Sequence, residues 1–353
     1  MMLSNRRPYL DVLRILACFL VIFNHLSGYI AYQQSTNAIQ AFYYMGFTMF
    51  TRINVPIFFM ISGSLLLSKD IKYKDLFFNR IIRIIGALFS ASFVLYLFSI
   101  RKDLSSFSLV VFLEKLLAGK HSGTYWYLYA YLGFLVTTPF LHRIANQFSH
   151  ADFNLLFSFH FIIATFIPLL NYVLSSMGIP TIRVSNDFNL PLMTLKAFFY
   201  PLIGYYIDHV FDISKLNKRN IWILPAIILI GSTISSCFTY HQGISSGYTQ
   251  DFVQTFDYTT AISVFLLVKY LFVNVRIIRN CTTLHLIASS LASLTFGIYL
   301  IDPALKYIIK YFNAVVTTQN PISYSIIRCL FSMAVGGSIT FVFKKIPLIN
   351  KLL

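Results

Sequence analysis

Three side chains able to do ionic or acid–base chemistry lie in one apolar stretch near the start of the chain. They are Asp11, Arg14 and His25, within PYLDVLRILACFLVIFNHLSG at residues 8–28. Crossing a bilayer takes roughly 20 mostly apolar residues, and this stretch qualifies. Charged groups are costly in hydrocarbon and mark a task when they are kept there. A helix turns about 100° per residue, so Arg14 and His25 end up only about 20° apart around the axis. Asp11 lies about 60° from Arg14, which puts all three on one face, turned away from lipid. Along the axis Arg14 and His25 are roughly 16 Å apart and cannot touch.

That spacing acts as a ruler. It suits a ligand with charge at one end and reactivity at the other, as in a coenzyme A thioester. Arg14 would hold phosphate near the cytosol, and His25 would meet the acyl group farther up. Imidazole serves near neutral pH as a general base or as a nucleophile, and the sequence leaves that choice open. A plainer reading also stands. Arg14 snorkels to headgroups with Asp11 as its i,i+3 partner, and His25 is a polar residue at a helix end. Asp11 is roughly 21 Å of helix rise from His25 and cannot orient it. An orienting partner must come from another span.

The elements that must position these groups follow from composition. The chain has 353 residues, 57% hydrophobic and 11% charged, with mean hydropathy +0.69. A soluble domain of this size needs far more surface charge. Long continuous apolar runs argue against a β-barrel. The expected fold is an all-α polytopic membrane protein, one domain over 1–353. The spans fall at about 9–30, 46–67, 81–100, 124–141, 153–174, 192–210, 221–240, 257–274, 286–308 and 322–343. Pro56 and Pro303 are expected to kink the second and the ninth. The first span reads as uncleaved, because Asp11 and Arg14 interrupt its apolar run and no small-residue cleavage site follows. Cys18, Cys237, Cys281 and Cys329 are too scattered for metal or disulfide spacing.

The net charge of +16 does not point to nucleic acid, since the basic residues cluster in short loops between spans. With the N-terminus inside, the inner segments hold Arg6, Arg7, Lys69, Lys72, Lys74, Arg80, Arg83, Arg143, Lys215, Lys218, Arg219, Arg276, Arg279, Lys344, Lys345 and Lys351. The outer loops hold only Arg101, Lys102, Lys115, Lys120 and Arg183. This asymmetry places both termini in the cytoplasm. LVVFLEKLLAGK within 101–123 reads either as a helix on the outer interface or as a plain loop.

The residues also resemble the acyltransferase 3 family of integral membrane acyltransferases, in its polysaccharide O-acetyltransferase branch. YLDVLRILACFLVIFNH carries that family's arginine and histidine, here Arg14 and His25. NVPIFFMISGSLLL (54–67) resembles its second-span signature through Pro56, Phe58, Phe59, Ser62 and Gly63. FFNRIIRIIGAL (77–88) resembles its basic entry to the third span, with Arg80 and Arg83. TYWYLYAYLGFLVTTPFL (124–141) and FGIYLIDPAL (296–305) resemble two later motifs. The likeness runs from about 8 to 343. Two positions depart: Gly86 stands where the family often has proline, and Asp302 where many relatives have histidine.

The resemblance implies a bundle of ten helices in a bacterial plasma membrane. It would move an acyl group, commonly acetyl, from cytoplasmic acetyl-CoA or another acyl-CoA. The acceptor would be a hydroxyl on a surface glycan or its lipid-linked precursor. No cofactor is expected to be held permanently, and a homo-oligomer is left open. Depth along the alternating spans then picks out site candidates. Arg52, Lys196, Trp126, Tyr127, Tyr299, Asp302 and Lys306 lie near the depth of His25. Asp302 is placed to orient the imidazole and Arg52 to stabilise an oxyanion, while Trp126, Tyr127 and Tyr299 are candidates for substrate contact. Arg80 and Arg83 are placed beside Arg14 to hold CoA phosphates. Each has a simpler reading: an Asp302–Lys306 pair at i,i+4, an aromatic belt, or ordinary positive-inside residues. The competing functions are a glycan exporter, which would show matched broken helices in repeated halves, and a scaffold in a glycan export complex.

Overall fold

Residues 6–26, 38–185, 195–217, 219–246, 256–312 and 321–353 are described by the structure, a computed structural model. Regular structure among them is helical throughout. The first helix, α1, spans Pro8–His25, with Pro8 opening it and Asp11 in its first turn. Proline suits that position, because the amide it lacks would have had no partner there. The leucine-rich face of α1 (Leu10, Leu13, Leu20) is buried. It is also the central helix, touching α2 (Ala38–Thr51), α3 (Asn54–Leu66), α10 (Asp257–Asn274), α11 (Thr282–Ala292), α12 (Thr295–Phe312) and α13 (Pro321–Phe343).

Around it lie α4 (Tyr73–Ser99), the short α5 (Leu109–Leu117), α6 (Trp126–Gln147), α7 (His150–Ser176), α8 (Lys196–Tyr205) and α9 (Ile223–Ser246). Each expected span coincides with a helix or a helix pair. Six stretches are long and apolar enough to cross a membrane: Pro8–His25, Tyr44–Leu66, Tyr73–Ser99, His150–Ser176, Asn220–Cys237 and Ser323–Phe343. The pair α11 and α12, bent by 47°, makes a seventh if counted as one span. The expected ten is therefore not met on length and apolarity. Three helices fall short for visible reasons. Trp126, Tyr127, Tyr129 and Tyr131 dilute α6. Only ten residues form α8 before a five-residue π-turn, Tyr206–Val210. Asp257 and Lys269 sit in α10, buried inside the bundle.

Pro56 acts, though not as a plain kink, and Pro303 leaves its helix unbroken. Pro56 has no N–H to bond the carbonyl four residues back, and its ring crowds that carbonyl. That carbonyl belongs to Arg52, and the helix is interrupted at Arg52–Ile53. In the ninth span the bend falls at Ser293–Leu294, between α11 and α12, while Pro303 stays inside α12. A helix does form within 101–123: Phe112 of α5 is buried against Phe89, Phe93 and Tyr96, and Leu109, Val110 and Leu117 are exposed. Lys218 and the side chain of Lys306 lie outside the described residues, as do residues 27–37 and 247–255.

Small residues let two backbones meet. A Cβ built on Gly63 would lie 1.9 Å from the Pro201 carbonyl oxygen, and one on Gly204 would lie 1.9 Å from that of Met60. The Ser64 hydroxyl donates to the Gly204 carbonyl at 3.0 Å. Lipid gives no hydrophobic drive between helices, so close packing and such bonds must hold α3 to α8. At the basic end of the bundle the π-turn presents Asp208. Arg7 and Tyr9 of the α1 end donate to its carboxylate. Lys269 donates to the Ile207 carbonyl at 2.6 Å, which ties α1, α8 and α10 together.

Candidate active site

One cavity of about 660 Å³ runs beside α1 and is lined by both Arg14 and His25. The volume is in the range of small-molecule and cofactor sites. Arg14 and His25 are kept on one wall by their shared helix face, as the sequence spacing requires.

At the basic end of the cavity stand Arg6, Arg14, Arg83 and Lys344. Arg6 clasps Asp11 with two hydrogen bonds, Nε at 2.8 Å and Nη2 at 3.3 Å. Arg14 is farther from that carboxylate, at 3.8 Å. Asp11 is thus bound chiefly by Arg6 rather than by its expected i,i+3 partner. Arg83 donates to the carbonyls of Leu352 and Leu353, at 3.3 and 2.6 Å. Leu353 itself lines the cavity. Lys344 donates to the Ser293 carbonyl at 2.6 Å, and burial together with the Arg83 charge lowers its pKa below the ordinary lysine value. Four cations around one opening make a ready anion site.

At the other end, His25 Nδ1 is 2.6 Å from Asp302 Oδ2. Asp302 is fully buried, and its Oδ1 has no hydrogen-bond partner among the described residues. A carboxylate can only accept, so Nδ1–H donates to it, and in the neutral imidazole the lone pair of Nε2 is left for the cavity. Next to His25, Asn24 fixes the end of α2. The Thr51 hydroxyl donates to Asn24 Oδ1 at 2.7 Å, and Asn24 Nδ2 donates to the Thr51 carbonyl at 3.4 Å. Arg52 follows directly, at the break that Pro56 imposes, and lines the cavity with His25. Between the two ends Tyr127 stacks on Tyr131 with centroids 5.8 Å apart. The Tyr299 ring lies 6.4 Å from that of His25, and Trp126 is half exposed.

Most of the expected site residues therefore meet. His25, Arg52, Arg14, Arg83, Trp126, Tyr127 and Tyr299 line one cavity, with Asp302 directly behind His25. Arg80 does not line it. It stands in the π-turn Phe77–Ile81, close enough for its charge to act on Arg83 and on the cavity residue Tyr131. Sequence reasoning missed Asn24, Asn54, Ser62, Tyr131, Arg6 and Lys344 as cavity residues. Asn24 adjoins His25 and could have been suspected from that alone. Lys344 had no local signal, since it arrives from the far end of the chain.

These features define a multi-pass helical membrane protein with a carboxylate-bound histidine at one end of a cavity and cations at the other. The sequence profile of the acyltransferase 3 family, an acyltransferase domain, matches residues 7–341, and the chain belongs to that family of membrane acyltransferases. No curated protein and no solved structure matches it.

Proposed function

We propose that the protein is an acyl-CoA-dependent O-acyltransferase. It takes acetyl from acetyl-CoA on the cytoplasmic side of a plasma membrane. It delivers the group to a hydroxyl of a cell-surface polysaccharide or its lipid-linked precursor. The bundle would cross ten times with both termini inside. The observation that carries this reading is the single cavity that joins the Arg14 cations to the His25–Asp302 pair.

In the proposed reaction Arg14, with Arg6, Arg83 and Lys344 around it, holds the coenzyme phosphates through charge-assisted contacts. The pantetheine arm lies along α1 and brings the thioester to His25. Nε2 takes the proton of the acceptor hydroxyl as its oxygen bonds to the thioester carbon. Arg52 faces the oxyanion that forms. Collapse breaks the C–S bond, the ester leaves, and the imidazolium returns its proton to the coenzyme thiolate. Asp302 stabilises the imidazolium and fixes its tautomer, as the carboxylate of a catalytic triad does. Attack by Nε2 itself, through an acyl-histidine, would use the same groups.

Purified protein incubated with acetyl-labelled acetyl-CoA and a glycan acceptor tests this reading. Release of free CoA with label on the acceptor is the expected result. An exporter or a scaffold would leave the thioester intact, and that outcome would overturn the proposal.

A further inference from the structure

The turn of α12 that carries Asp302 is one backbone hydrogen bond short. Pro303 follows directly and has no N–H, so the Tyr299 carbonyl loses its intrahelical donor. Yet Asp302 must keep one carboxylate oxygen within 2.6 Å of His25 Nδ1. The helix alone does not secure that geometry.

Two tyrosines reach across at this level in opposite directions. The Tyr299 hydroxyl of α12 donates to the Thr124 carbonyl at 2.5 Å. The Tyr125 hydroxyl, from the turn that opens α6, donates back to the Leu300 carbonyl of α12 at 2.6 Å. Each tyrosine thus bonds the backbone next to the other. Their rings pack at 6.1 Å between centroids, and both are buried. A buried hydroxyl left without a partner is costly, so the two bonds fix the relative height and rotation of the segments. The residues fixed on α12, Tyr299 and Leu300, precede Asp302 by three and two positions.

We propose that Tyr125 and Tyr299 are positioning residues. They form a reciprocal clasp that holds the Pro303-weakened turn of α12 so that Asp302 meets His25. The Tyr299 hydroxyl is thus engaged by the protein backbone, while the residue still lines the cavity. The inference rests on the acyltransferase reading for its kinetic consequences, and on the structure alone for its effect on His25.

Tyr125→Phe and Tyr299→Phe, in the purified full-length protein, keep the rings and remove only the hydroxyls. Each lost bond should lower turnover by about two- to tenfold, the range for one neutral hydrogen bond, with acetyl-CoA affinity unchanged. In an Asp302→Asn background the same changes should add almost nothing, because groups that act as a unit are not additive. The second readout needs no turnover: mass spectrometry of diethyl pyrocarbonate modification at His25. Both Phe variants should change that rate in the same direction as Asp302→Asn, and the combined variants no further. Wild-type turnover and wild-type His25 reactivity in both Phe variants would overturn the clasp. Losses that multiply in full with Asp302→Asn would do the same, and would mark a general packing role. If the wild type consumes no thioester, the acyltransferase reading fails, and the clasp still stands or falls on His25 reactivity.

Discussion

His25 and Asp302 meet through a 2.6 Å contact between Nδ1 and Oδ2, although 277 positions separate them in the chain. Asp302 has no exposed surface, and its second oxygen has no hydrogen-bond partner among the described residues. Such a carboxylate is costly unless its charge is used. Asp302→Asn should therefore reduce turnover by up to about 10⁴-fold, the loss known for the same change behind a catalytic-triad histidine. Acyl-CoA affinity should stay nearly unchanged, because the cations that would bind phosphate stand at the other end of the cavity. Parallel calorimetry and turnover assays on the variant check both halves. Full activity in Asp302→Asn would remove Asp302 from the mechanism.

The crossing of α3 and α8 makes a stability prediction. Alanine at Gly63 or Gly204 would set a methyl 1.9 Å from a backbone oxygen. Backbone cannot rotate aside, so the helices must part. The cost should sit at or above the upper end of the roughly 1–3 kcal/mol usual for overpacking. Gly63→Ala and Gly204→Ala should each lower the thermal midpoint in detergent. By contrast, Gly133→Ala meets open space and should leave the midpoint where it is.

Much of this architecture was legible because membrane segments announce themselves by length and hydropathy. The partner for His25 was legible too, since alternating spans assign depth and few polar residues share a depth. Register between distant helices was not. The reciprocal bonds of Tyr125 and Tyr299 each join residues 175 positions apart, and no local pattern encodes that pairing. The π-turn that carries Arg80 was not legible either, since hydrophobic period does not signal it. The shortfall from ten spans has a similar cause. Asp257 and Lys269 are tolerated in α10 because it is enclosed by other helices, and enclosure is a tertiary fact.

Orientation in the membrane is tested by labelling single cysteines in a variant without Cys18, Cys237, Cys281 and Cys329. The loop charge asymmetry places Lys72→Cys inside and Ser105→Cys outside. A membrane-impermeant maleimide on intact cells should label Ser105→Cys and spare Lys72→Cys until the cells are opened. The reverse pattern would invert the topology and move the cation-lined mouth to the outer face.

The final prediction concerns division of labour along α1. Arg14 is 3.8 Å from an Asp11 carboxylate that Arg6 already binds, so its guanidinium has capacity for an anion in the cavity. A charge-assisted contact is worth roughly 1.5–3 kcal/mol, or about ten- to a hundredfold in affinity. Arg14→Ala should weaken acyl-CoA binding by that factor, and Arg14→Lys should restore part of it if a point charge suffices. Arg83 already donates to the Leu352 and Leu353 carbonyls, and phosphate must compete with them. Arg83→Ala should therefore cost less affinity than Arg14→Ala. His25→Ala should abolish transfer yet bind acyl-CoA almost normally, since the histidine stands roughly 16 Å along the helix from Arg14. Calorimetry with a non-hydrolysable acyl-CoA analogue measures binding in all four variants, and a turnover assay with acetyl-CoA measures transfer. Equal loss of affinity in folded Arg14→Ala and His25→Ala, or transfer persisting in His25→Ala, would show that the two ends of the cavity do not divide binding from chemistry.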